Sequence, residues 1–326
     1  MFGLLSIPVV RNWIEASKKR HSASVFGEIK FSVVWTDKKD ECGHLLVPVD
    51  PINLVAQINA SPFILLNSHD PGKPLGQVIE CANFESKDGE NFIVAALGFY
   101  AGGENLEFRK LNIDISEVVS PPGELPALTN GVWIDFAVDP REVDSEWSEE
   151  VTCNAPIKIR SIELSHNSAE VIQELIRVGL PYLAIVWNPF VTAIASEAGK
   201  NTYVAISKWV RQLLEKLEKR QSPILSLQSH QQDCQVSFLF RGKDIKLNYA
   251  AHDALSNAAA QAALIINKLK IREMPARELI YEFDKDTLRW YPSYAILNDN
   301  RIVTDSSKLI AIEQLPPELS LGISID

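Results

Sequence analysis

Between Asn201 and Arg220, apolar residues recur at three- and four-residue spacing: Tyr203, Ile206, Trp209 with Val210, Leu213 with Leu214, and Leu217. Lys208, Arg211, Glu215, Lys216 and Lys219 occupy the opposite side. This spacing follows the 3.6-residue turn, so it predicts a helix near 201–220 with one apolar stripe. A stripe of that kind must be buried against a second layer. The flanking sequence offers that layer as short runs with a two-residue period.

In the first half, Glu28–Thr36 and His44–Val49 are predicted strands around a charged turn. Gly76–Phe84 and Asn91–Tyr100 are predicted strands on either side of Asp88-Gly89, a strong hairpin signal. Leu111–Val119 and Val132–Val138 also read as strands. In the second half, Ile157–Leu164 alternates as a half-buried strand does. Asn167-Ser168 then caps a predicted helix at Ala169–Val178. Ile224–Gln228, Gln235–Arg241, Arg277–Asp284, Thr287–Leu297, Arg301–Thr304 and Leu309–Glu313 follow as strands, with an alanine-rich helix near 248–270. The fold class is therefore α+β: a β-rich N-terminal domain over 1–145, then an α+β C-terminal domain over 151–326. The acidic stretch Asp139–Glu150 reads as the surface connection between them.

The net charge of −10, from 42 acidic and 32 basic residues, weighs against a protein that coats phosphate backbones. Four cysteines, Cys42, Cys81, Cys153 and Cys234, lie far apart with no C-x-x-C pair. They read as reduced thiols of a cytoplasmic protein rather than a disulfide frame or zinc site. The apolar start MFGLLSIPVV has its charges after the run, and reads as an amphipathic helix interrupted at Pro8 rather than as a secretory signal. Leu180–Ala195 is shorter than the roughly 20 residues that span a bilayer and is broken at Asn188-Pro189, so it reads as core. A membrane-acting effector that releases 180–195 is the alternative use of that segment.

Chemistry-bearing residues crowd one corner, Asn67-Ser68-His69-Asp70-Pro71-Gly72, between the apolar run Phe63–Leu66 and a second strand-like run. His69 there reads either as a general base oriented by a carboxylate or as a turn residue pointing to solvent. The pattern of Phe63–Leu66, Asn67, His69-Asp70, Gly76-Gln77-Val78, Asp88-Gly89 and Phe92–Leu97, with Asp114–Pro121 after it, resembles the phage prohead maturation protease family. The resemblance is partial and covers residues 63–121. It implies an assemblin-like fold and a serine peptidase with His69 as base. Ala95-Ala96-Leu97-Gly98-Phe99 carries alanine where such an enzyme needs a hydroxyl, so Ser116 and Ser120 are the candidate nucleophiles, with Asp114 as a candidate orienting carboxylate.

The other histidines form no H-x-x-x-H or H-E-x-x-H pattern. Neither a phosphate-binding glycine loop nor a G-x-S-x-G elbow occurs, so no cofactor and no metal are expected. Trp290, Tyr291 and Tyr294 make the densest aromatic cluster and are the candidate partner-binding surface. The sequence thus favours an intracellular interaction or regulatory protein that binds a protein or peptide partner, with a prohead-protease-like serine hydrolase as the competing class.

Overall fold

The computed structural model describes residues 2–21, 25–39, 43, 45, 49–60, 62–121, 124–125, 131–164, 173–186, 193–194 and 197–306. They fall into two compact units: one holds the chain up to Asn67 and Lys73–Asn105, the other Ser68–Gly72 and Leu106–Ser306. The division after Asn105 replaces the boundary expected at 139–150. That acidic stretch lies inside the second unit, where Asp144 caps α4 (Ser145–Thr152) by accepting from the Trp147 amide at 2.8 Å. Trp147 and Val151 are buried. The second half of the stretch is an amphipathic helix with Glu146, Glu149 and Glu150 exposed, whereas Asp139 is buried and paired with Arg141.

In the first unit, β1 (Glu28–Thr36), β2 (Phe63–Leu66), β3 (Pro74–Glu85) and β4 (Asn91–Phe99) form an antiparallel sheet in the order β1-β4-β3-β2. The near-continuous apolar run of β4 is buried on both faces, because each face is covered by helix. On one face α3 (Pro51–Ala60) sets Ile58 among Trp35, Val78, Ile93 and Leu97. On the other, α1 (Phe2–Leu5) and α2 (Pro8–Arg20) bring Val10 to Val33, Phe92 and Val94. Asp50-Pro51, read as the end of a strand, begins α3 instead. Asp50 accepts from the Asn53 amide at 2.7 Å, and proline at the first helical position gives up a donor that would be unpaired anyway. Of the predicted strand His44–Val49, Leu45 makes an isolated bridge to Lys39. His44, Leu46, Val47 and Pro48 lie outside the described residues, as does Cys42.

In the second unit, β5 (Glu124–Leu125) pairs with β9 (Ala193–Ile194). The main sheet has eight strands: β6 (Ile134–Val138), β7 (Ile159–Glu163), β8 (Glu174–Gly179), β10 (Pro223–Gln231), β11 (Cys234–Arg241), β12 (Ala276–Asp284), β13 (Arg289–Leu297) and β14 (Ile302–Val303). Their order is β14-β13-β12-β11-β10-β8-β6-β7, with β7 at one edge. The sheet is mixed: β8–β10, β11–β12 and β6–β7 are parallel, and its other pairs are antiparallel. Helices α5 (Tyr182–Val186), α6 (Glu197–Lys216), α7 (Ile245–Asp253) and α8 (Leu255–Ile271) share a core with this sheet. All seven residues of the predicted α6 stripe are buried in that core. Leu180, Ile185 and Val186 are also in it, as expected of the apolar segment; 187–192 lie outside the described residues.

Three expectations change here. Glu174–Val178, placed in a helix by the Asn-Ser cap, belong instead to strand β8, hydrogen-bonded to β10 on one side and β6 on the other. Its Leu175, Ile176 and Val178 are buried, and β-branched residues suit a strand between two others; 169–172 lie outside the described residues. The alanine-rich helix is interrupted at Ala254, which separates α7 from α8. Leu111–Val119 contains no strand, since Asn112 is left-handed at φ 53° and Asp114 bonds the Ser116 amide in a local turn. The predicted strand Leu309–Glu313 lies outside the described residues.

Candidate functional site

The corner singled out by sequence is built around Asp70. Ser68 and His69 are both left-handed, with φ 52° and 57°, which turns the chain so that the Asp70 side chain is fully buried. Asp70 accepts from Arg241 Nη1 at 3.0 Å and Nη2 at 2.7 Å, and from the Gly72 amide at 2.9 Å. Arg241 also donates through Nε and Nη2 to Glu282, at 2.7 and 2.6 Å. Burial pulls the Arg241 pKa down, but the hydrogen bonds to Glu282 and then Asp70 outweigh it and hold the pKa above its ordinary value. Gly72 sits so close to Glu282 and Arg241 that a Cβ there would collide with both side chains. Tyr294 donates its hydroxyl to the Pro71 carbonyl at 2.6 Å. This is a clamp, with both Asp70 oxygens committed to an arginine.

The proposed catalytic set is only partly assembled. Ser116 donates its hydroxyl to Asp114 at 2.6 Å. The Ser116 hydroxyl, then its amide, hold the Asp114 carboxyl below its usual range, which makes it a weak base. Ser116 and Ser120 are exposed. Among the described residues no group of three or more His, Cys, Asp or Glu converges to hold a metal ion. No helix of the described residues is long and apolar enough to cross a membrane.

The aromatic cluster is not a surface. Trp290 is buried, donates to the Ala251 carbonyl at 2.8 Å, and meets Phe238, Phe240 and Phe283 edge-on. Tyr294 is buried on the clamp, and of the three only Tyr291 is exposed. From Pro292 to Leu297 strand β13 is buried on both faces, and its open face is confined to Arg289 and Tyr291 at the start.

A different site lies on the sheet face away from the helices. Because Ile176, Val178, Leu227 and Val236 point into the helical core, the pleat turns Arg177, Gly179, Gln228 and Gln235 the other way. Asp135 and Ala137, paired with Gly179 and Arg177 across β6–β8, share that face. These residues line a cavity of about 600 Å³. Arg177 makes no hydrogen bond or ion pair within the described residues, and its Nε is buried without a partner. Burial lowers its pKa, with Glu278 opposing the change. Burial likewise raises the pKa of Glu278, against the pull of Arg277 and Arg177. At the rim, Arg160 donates to both Asp135 oxygens, at 2.6 and 2.8 Å, and lies 4.9 Å from the Trp133 ring centre.

Sequence reasoning missed Arg177 because it placed the residue on a helix. The available signal was an arginine set among apolar residues in Leu-Ile-Arg-Val, a strand-like run closed by Gly179 and Pro181. No protein-family model, curated protein or solved structure matches this chain.

Proposed function

We propose that this is a binding or regulatory protein, performing no chemistry of its own, that recognises its partner by an anionic group seated on Arg177. The observation that carries the reading is a guanidinium that makes no hydrogen bond or ion pair among the described residues, its Nε buried without a partner, lining a cavity large enough for more than an inorganic ion. Arginine in that state fits carboxylates and phosphates with a two-pronged geometry. Cys81, Cys153 and Cys234 are unpaired, which supports a reducing, cytoplasmic setting. The test is to follow the Arg177 environment by NMR while adding sulfate, phosphate and benzoate. At least one anion should perturb it in the native chain and leave Arg177→Gln unaffected. Silence with all three rejects the reading.

A second reading, the serine peptidase, is favoured by the consecutive left-handed Ser68 and His69, since such backbone concentrates at functional corners. It requires fluorophosphonate labelling that disappears in His69→Ala and in either Ser116→Ala or Ser120→Ala. Labelling indifferent to all three substitutions sets it aside.

A further inference from the structure

We infer that the anionic group seated on Arg177 is a carboxylate borne on an apolar body, either the C-terminal residue of a peptide or a free organic acid. This rests on the binding reading above and narrows it to one chemistry.

The charge around the cavity is matched to a single negative charge. Arg160 and Asp135 pair at the rim. Of the charged side chains that line the cavity, Asp135 is paired with Arg160, so Arg177 supplies the positive charge that faces it. A dianionic phosphate would carry more charge than this one guanidinium balances and would face Asp135 with like charge. Both Asp135 oxygens are already taken by Arg160, so that carboxylate does not compete for Arg177. A planar carboxylate also suits the guanidinium fork, with the Gln228 and Gln235 amides on the same face able to complete its hydrogen bonds.

The remaining walls call for an apolar body. Trp133 is 46% exposed and Ile162 41% exposed, and both line the cavity with Leu164, Leu180 and Pro181. Exposed apolar side chains around a few convergent polar groups are the usual make-up of an organic-ligand site. Inorganic phosphate would leave this lining wet.

The test uses the full chain and calorimetric titration near neutral pH with five probes: phenylbutyrate, its neutral twin phenylbutyramide, inorganic phosphate, and a short phenylalanine-ended peptide as free acid and as amide. The acids should bind, and their amide twins about tenfold more weakly or worse, since a charge-assisted pair is lost. Arg177→Gln should weaken acid binding by a similar factor of about ten, with Arg177→Lys in between. Trp133→Ala should weaken both acids yet keep their preference over amides. Binding by the peptide acid alone assigns the peptide source, and binding by phenylbutyrate assigns the free acid. If phosphate binds through Arg177 and neither acid does, the carboxylate inference is overturned while the anion-binding reading stands. If no probe binds in an Arg177-dependent way, both fall. Should the variants fold poorly, the Arg177 Nε–H resonance of the native chain decides. It should move with the acids and stay with the amides; movement with both or with neither overturns the inference.

Discussion

At the scale of single residues, two carboxylates show what burial does with and without a full set of partners. Asp70 is saturated by Arg241 and the Gly72 amide, so Asp70→Asn leaves Arg241 with half of its compensation. Breaking a fully buried pair costs about 3–5 kcal/mol. The Arg241 side chain keeps 36% of its surface in water, which screens the loss to about 2–3 kcal/mol, measurable by urea melts. Glu278 is the opposite case, because burial outweighs the arginines that act on it. Its pKa is raised on folding, so its contribution to stability is full below the ordinary glutamate range and is lost as pH rises through the folded value. Glu278→Gln should therefore gain stability over the native chain as pH moves from about 4 towards neutrality. An equal difference at both pH values would refute this.

The most informative element is α6, whose apolar stripe meets the sheet without interruption. Leu213 is buried in that core, and Leu213→Ala should cost about 2–5 kcal/mol. Lys219→Ala, on the side facing solvent, should stay within about 0.5 kcal/mol. Similar losses for both would mean that the stripe does not face the core. Strand β8 makes the complementary point. One strand serves the helical core with Ile176 and Val178 and the cavity with Arg177, so a shift of register by one residue would exchange them.

At the scale of the whole molecule, the two units each carry a buried thiol. Burial pushes the Cys81 thiol up to about 11 and the Cys234 thiol up to about 12, with Glu80 and Glu278 respectively adding to the effect. Cys153 is exposed. Iodoacetamide at mildly alkaline pH should thus modify Cys153 in the native protein and spare Cys81 and Cys234, since the thiolate is the reacting form. Through a denaturant series each buried thiol should follow the opening of its own unit, so peptide mapping reads the two cores separately. Rapid native labelling of either buried thiol would contradict the packing described.

What the sequence determined by itself is what a short window can hold. The α6 stripe, the Asp88-Gly89 hairpin and the β12–β13 hairpin follow from local periodicity and turn chemistry, and so does the α+β class. The Asn67–Gly72 corner was legible as a place but not in its chemistry, because Asp70 meets Arg241 across 171 residues. The same holds for the aromatic cluster, which reads as a surface until β13 from Pro292 onward is seen to be buried on both faces. Tertiary structure alone made Glu174–Gly179 a strand, by giving its backbone groups partners in β6 and β10. It also placed Arg177 over a cavity with no hydrogen bond or ion pair among the described residues. Periodicity tells which side of an element is apolar; only the packing of distant strands decides which charges are paired and which remain available to a ligand.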